Sequence, residues 1–177
     1  MQTIWITGGS SGIGFATAKE FLKNDWQVII SSSSQEKLNN AKTRLGENNK
    51  KNLLHIIKCD ISIKKEVDET VENIEKNIGK IDIALLNASA YSPNKDQTFN
   101  ISNYELLIDV NIKGTLYCIN KLKDFMKFRD NTIAIISSPL GYRGWPTAGA
   151  YGISKAAQLS LSETLFFDFK KININMR

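Results

Sequence analysis

The chain has 177 residues, of which 42% are hydrophobic and 23% charged, with a formal net charge of +5 and a pI near 9.1. That is the composition of a soluble globular protein long enough to bury a sizeable core, and it excludes a disordered or fibrous chain. Nucleic-acid binding is not expected from the charge, because Asp and Glu stand between the lysines and the densest basic runs, Asn48 to Lys51 and Lys121 to Arg129, are short and carry no interleaved stacking motif.

Strand-like and helix-like segments alternate from the start. Thr3 to Thr7 reads as a strand that ends in glycines, and a helix with Ala16, Phe21 and Leu22 at roughly helical spacing follows from Ile13 to Asn24. Trp26 to Ser31 is a second strand. The next helix buries Leu38, Ala41 and Leu45 between a serine cap and Gly46. Leu53 to Lys58 is a third strand. The clearest helix follows, with Ser62 as cap, a stripe of Ile63, Val67, Val71, Ile74 and Ile78, and Gly79 as stop. Ile83 to Leu86 is a fourth strand. Tyr104 to Phe128 is helical with an interruption near Asn111, Thr132 to Ile136 is a fifth strand, Tyr151 to Phe169 a long helix, and Ile172 to Met176 opens a sixth strand.

Uninterrupted apolar strands between helices predict a parallel sheet covered on both faces. With right-handed crossovers this is a doubly wound, Rossmann-like α/β sheet in three layers, read here as a single domain over 1–177. Cys59, Cys118 and the lone His55 lack metal-ligand spacing, so no metal is expected, and the two thiols read as buried and reduced. No leader pattern and no membrane-length apolar run is visible, so a cytoplasmic location and no membrane contact are expected.

Two stretches carry chemistry. Thr7-Gly8-Gly9-Ser10-Ser11-Gly12-Ile13-Gly14 stands between the first strand and the first helix. Glycines there permit a tight turn and close approach to a pyrophosphate, and the helix N-terminus offers N–H groups and partial positive charge. Tyr151 and Lys155 lie four residues apart, on one helix face. An ammonium beside a phenol favours the phenolate, which suits proton exchange with a carbonyl or alcohol oxygen.

Together, T-G-x-x-x-G-x-G and Tyr151-x-x-x-Lys155 resemble the short-chain dehydrogenase/reductase family, in its compact single-domain type. The resemblance covers nearly the whole chain. The family's adenine-pocket Asp matches Asp60, followed by Ile61; its Asn-Asn-Ala-Gly matches Leu86-Asn87-Ala88-Ser89; its helix Asn matches Asn111; and its catalytic Ser matches Ser138, thirteen residues before Tyr151. The resemblance implies that Tyr151 is the general acid/base, that Lys155 lowers its pKa and binds the nicotinamide ribose, and that Ser138 orients the substrate oxygen. Asn111 would bend its helix and position a water linking Lys155 to solvent. Ser137, not Ser138, is the better placed to cap the strand end. Gly8, Ser10, Ser11, Gly12, Ile13, Gly14, Ser32, Ser33, Asp60, Ile61, Asn87 and Ala88 would join Tyr151 and Lys155 in binding the cofactor.

Ser31-Ser32-Ser33-Ser34 stands where an acidic residue would repel a 2′-phosphate, so NADP(H) is favoured over NAD(H), although an arginine at about Ser33 is missing. Ser89 in place of glycine narrows the room beside the adenine ribose. Tyr142, Arg143, Trp145 and Pro146 either line the substrate pocket or pack on their own core. Relatives normally continue past the sixth strand through a Pro-Gly motif, a substrate-covering loop and a last strand. Without that region an unpaired sheet edge is expected, and an alternative reading is a dinucleotide-binding module with little or no turnover. A homodimer or homotetramer through the helices at 111–128 and 151–169 is expected by the same resemblance.

Overall fold

Six short strands form one parallel sheet, and the helices between them cover both faces. The computed structural model describes residues 1–46, 52–93 and 99–177; the basic run at 48–51 lies outside them. The strands are β1 (Thr3–Thr7), β2 (Gln27–Ser32), β3 (Leu54–Lys58), β4 (Ile83–Leu86), β5 (Asn131–Ile135) and β6 (Ile174–Met176). They lie in the order β3-β2-β1-β4-β5-β6, with every neighbouring pair parallel. The helices are α1 (Gly12–Lys23), α2 (Gln35–Leu45), α3 (Lys64–Asn73), α4 (Ile101–Leu107), α5 (Gly114–Met126) and α6 (Gly149–Lys170). The strand order reverses between β1 and β4, and that switch point opens a crevice at the carboxyl ends of the strands.

The period of two along β1 sorts its side chains between two cores. Trp5 joins Ile29, Val67, Val71, Cys118, Leu122 and Ile133 under α3, α5 and α6. Ile4 and Ile6 join Ala18, Leu22, Leu38, Ala41 and Leu45 under α1 and α2. Trp5 is fully buried, and its indole N–H is satisfied by Ser31 Oγ at 3.1 Å. Both cysteines are buried and unpaired, as expected, and burial pushes the Cys59 thiol up to about 11.

Several local expectations are corrected. The buried face of α1 is Gly14, Ala18 and Leu22, one residue every four, which leaves Ile13 and Ala16 exposed. Ser62 does not cap α3: its N–H and hydroxyl both bond to Asp60 Oδ1, at 3.0 and 2.7 Å, and the helix begins after Ile63, which is exposed. Val67, Val71 and Ile74 are buried as expected, but the α-helical hydrogen bonding gives way to a π turn at Ile74–Ile78 before Gly79. Ser34 does cap α2, accepting the N–H of Lys37 at 3.3 Å. The interruption near Asn111 is a second π turn, Ile108–Lys113, between α4 and α5. β6 pairs only with β5 and lies at an edge of the described sheet. No helix among the described residues is long and apolar enough to cross a membrane, and no group of His, Cys, Asp and Glu among them could hold a metal ion.

Candidate active site

β1 runs into the glycine turn at the switch point, and Thr7 fastens that turn to the end of β4. Its hydroxyl accepts the N–H groups of Asn87 and Ala88, both at 3.0 Å. The Asn87 amide donates in return to the carbonyls of Thr7 and Gly8 at 3.0 and 3.2 Å. Gly8 has φ +64°, and a Cβ there would lie 2.8 Å from Ala88 Cα. Gly12 also has a left-handed φ, +54°, yet a Cβ there would meet nothing within 4 Å. Crowding requires the first glycine; the second faces open space at the start of α1. The cap residue Ser11 makes no side-chain cap bond, so the helix N-terminus keeps its donors for another acceptor.

That open space is a cavity of about 430 Å³. It is lined by Gly8, Ser10, Ser11, Gly12 and Ile13 of the glycine turn, which form its wall at the start of α1, by Ser32 and Ser33 at the end of β2, by Asp60 and Ile61 after β3, and by Asn87 and Ala88 after β4. Of the twelve residues expected to bind the cofactor outside the Tyr–Lys pair, eleven therefore converge; Gly14 sits behind the wall, packed on Asn87 and Gly8. Asp60 is the sole carboxylate among the lining residues. Ser89 lines the rim and donates to the Ala90 carbonyl at 3.3 Å. Lys37 also lines the cavity, as Ser32 and Ser33 do. The sequence reading missed it; its signal was its place three residues after the capping Ser34. An open Gly12 cradle, free helix donors and polar lining residues fit the adenosine and pyrophosphate of a dinucleotide.

The Tyr–Lys pair lies beyond that cavity, at the start of α6. Lys155 is 2% exposed, and its Nζ stands 5.4 Å from the Tyr151 ring centroid. The ammonium donates to the Ile136 carbonyl at 2.8 Å and to Gln158 Oε1 at 2.9 Å. Burial lowers its pKa from 10.5 to about 8. Tyr151 is half-buried, and the exposed Tyr91 meets its ring edge-on at 5.0 Å, a contact no sequence pattern announced.

Asn111 is fully buried in its π turn, and its side chain ties three elements together. Oδ1 accepts the Ala90 N–H at 2.7 Å, while Nδ2 donates to the Ala90 carbonyl and to Ser154 Oγ, both at 3.0 Å. Because Ala90 also lines the cavity, Asn111 links the cavity to α6. Its backbone carbonyl accepts from Thr115 Oγ1 at 2.7 Å and Gln158 Nε2 at 2.8 Å.

The cap expected at Ser137 is made by Ser138 instead. Ser138 caps the 3₁₀ turn Pro139–Gly141, accepting the Leu140 N–H at 3.2 Å, while Ser137 donates to the Lys155 carbonyl at 3.2 Å. Pro139 at the first position of the turn makes its predecessor the cap. The Ser138 hydroxyl still has its proton to donate. Tyr142, Arg143, Trp145 and Pro146 are exposed and do not pack on the core.

A family model described as short chain dehydrogenase matches residues 2–177. An uncharacterized oxidoreductase of Staphylococcus saprophyticus is 30% identical over 172 residues, 97% of this chain and 73% of that protein. Levodione reductase superposes with a TM-score of 0.92 at 21% identity, over 99% of this chain and 69% of that one, a likeness of fold. NAD+-bound xylitol dehydrogenase superposes with a TM-score of 0.89 at 25% identity, over 99% of this chain and 67% of that one.

Proposed function

Because the chain belongs to the short-chain dehydrogenase family, we propose that it is an oxidoreductase in which Tyr151 exchanges a proton with a carbonyl or secondary alcohol. The observation that carries this reading is the buried Lys155 ammonium 5.4 Å from the Tyr151 ring. The nicotinamide cofactor supplies or accepts the hydride when bound. In the reducing direction, charge grows on the carbonyl oxygen as its carbon is reduced. The Tyr151 hydroxyl gives its proton to that oxygen, and the Ser138 hydroxyl donates a hydrogen bond to it. Lys155 holds positive charge beside the phenolate left behind, which is restored by a proton from solvent. In the oxidising direction the same groups take the proton from the alcohol.

The cavity supports binding of the adenosine half of the cofactor between the glycine wall and Asp60. Lys37, lining the same cavity as Ser32 and Ser33, supports NADP(H) over NAD(H), since an ammonium and two hydroxyls suit a 2′-phosphate. Exposed Leu116 on α5 and Ile153, Phe166 and Phe167 on α6 support self-association through those helices. The test is to follow reduced-cofactor absorbance with a panel of ketones and aldehydes, alongside a cofactor titration. Turnover with NADPH supports the reading; tight cofactor binding with no turnover of any carbonyl favours a binding module.

A further inference from the structure

Gln158 stands one turn beyond Lys155 on the buried face of α6 and is itself 2% exposed. Three of its four hydrogen-bonding positions are used, both N–H donors among them. Oε1 accepts from Lys155 Nζ at 2.9 Å, and the amide nitrogen donates to the Asn111 carbonyl at 2.8 Å and to Thr115 Oγ1 at 2.9 Å. The amide can face only one way, because turning it over would set NH₂ against the ammonium and oxygen against the Asn111 carbonyl. Thr115 reinforces this, since its hydroxyl proton goes to the Asn111 carbonyl and its lone pair faces Gln158.

Two consequences follow from counting donors and acceptors. A carbonyl oxygen has two lone pairs, and those of Asn111 meet Thr115 and Gln158. The expected water between Asn111 and Lys155 therefore has no acceptor at that carbonyl. An ammonium has three N–H groups; Ile136 and Gln158 hold two, which leaves one for Tyr151 and the ribose.

We propose that Gln158 is the positioning residue of Lys155, a carboxamide strut that holds the ammonium in place of a water and closes the proton route through Asn111. A carboxamide does not pass a proton along, so Tyr151 regains its proton from its own half-open face. The elements packed around Lys155 add little charge. β5 presents the Ile136 carbonyl; Asp109 and Lys113 of the π turn pair with each other at 2.7 Å, half-exposed. Tyr104 of α4 meets α6 at Gly149, and Tyr151 is the titratable neighbour on α6 itself. The amide is thus the main polar control on the ammonium.

The proposal deepens the oxidoreductase reading, and its first test is independent of turnover. Lysine side-chain NMR of the cofactor-free protein, with Lys155→Met to assign the signal, gives the Lys155 titration midpoint in wild type, Gln158→Met and Gln158→Glu. The midpoint should fall in Gln158→Met, which removes an acceptor, and rise by about one pH unit or more in Gln158→Glu. Kinetic pH profiles should move the same way wherever turnover is found. If Gln158→Met does not fold, Gln158→Glu alone decides. Folded variants with an unmoved midpoint overturn the proposal; absence of turnover in wild type overturns only the oxidoreductase reading.

Discussion

Asn111 and Ala90 grip each other by two hydrogen bonds, Ala90 N–H to Asn111 Oδ1 at 2.7 Å and Asn111 Nδ2 to the Ala90 carbonyl at 3.0 Å. Replacing Asn111 by Leu takes this partner from the part-buried N–H and carbonyl of Ala90 and from the buried Ser154 hydroxyl, which keeps its bond to the Tyr151 carbonyl. We expect a stability loss of about 2–4 kcal/mol from the unmade bonds. The loss should be local first: hydrogen exchange at 88–91 should quicken more than in β1. Equal quickening across the sheet would show that Asn111 is not the tie.

The two glycines with left-handed backbone should fail differently. Gly8→Ala brings a methyl 2.8 Å from Ala88 Cα and should cost about 1–3 kcal/mol, seen as a lowered melting temperature. Gly12→Ala meets no protein atom within 4 Å, so its stability cost is smaller. Its methyl enters the cavity, and a cofactor titration should show the greater loss there.

Lys37→Ala should separate the two cofactors. The ammonium is expected to contact only a 2′-phosphate, so NADPH affinity should fall by about tenfold, the scale of one charge-assisted hydrogen bond, with NADH affinity nearly unchanged. Equal losses for both would remove the support for NADP.

Lys155 makes stability depend on pH in a defined direction. Its folded pKa of about 8 lies below the ordinary 10.5, so folding opposes its protonation. The cost is complete below pH 8, shrinks as the unfolded chain alone stays charged, and vanishes above 10.5. Lys155→Met lacks this cost but also the bonds to Ile136 and Gln158. Its melting temperature relative to wild type should therefore be highest below pH 8 and fall between pH 8 and 10.5. A difference that stays flat over that range would show that burial does not depress this group.

Much of the fold was legible because apolar runs fully buried in a parallel sheet need no partner to be recognised. All six strands appear within two residues of their expected bounds. The helix faces were less legible: Ile13 and Ile63 look like core residues, yet they lie at helix starts that face outward. In the site, the glycine turn and the Tyr151–Lys155 spacing are local patterns and could be read directly. Gln158 could not, since a glutamine on a helix looks like a surface residue until α6 is packed against the π turn holding Asn111. Lys37 was hidden because its place on the cavity depends on how α2 leaves its cap. The cap at Ser138 was missed, the cap having been expected at Ser137, although Pro139 marked the turn that follows.

The most direct test of the central claim is Tyr151→Phe, which removes one hydroxyl and keeps the ring that meets Tyr91. Cofactor affinity and single-turnover carbonyl reduction should be measured on the same preparation as wild type. The account predicts affinity within a few-fold of wild type and a rate lower by about 10²–10⁴. An unchanged rate in Tyr151→Phe would contradict it.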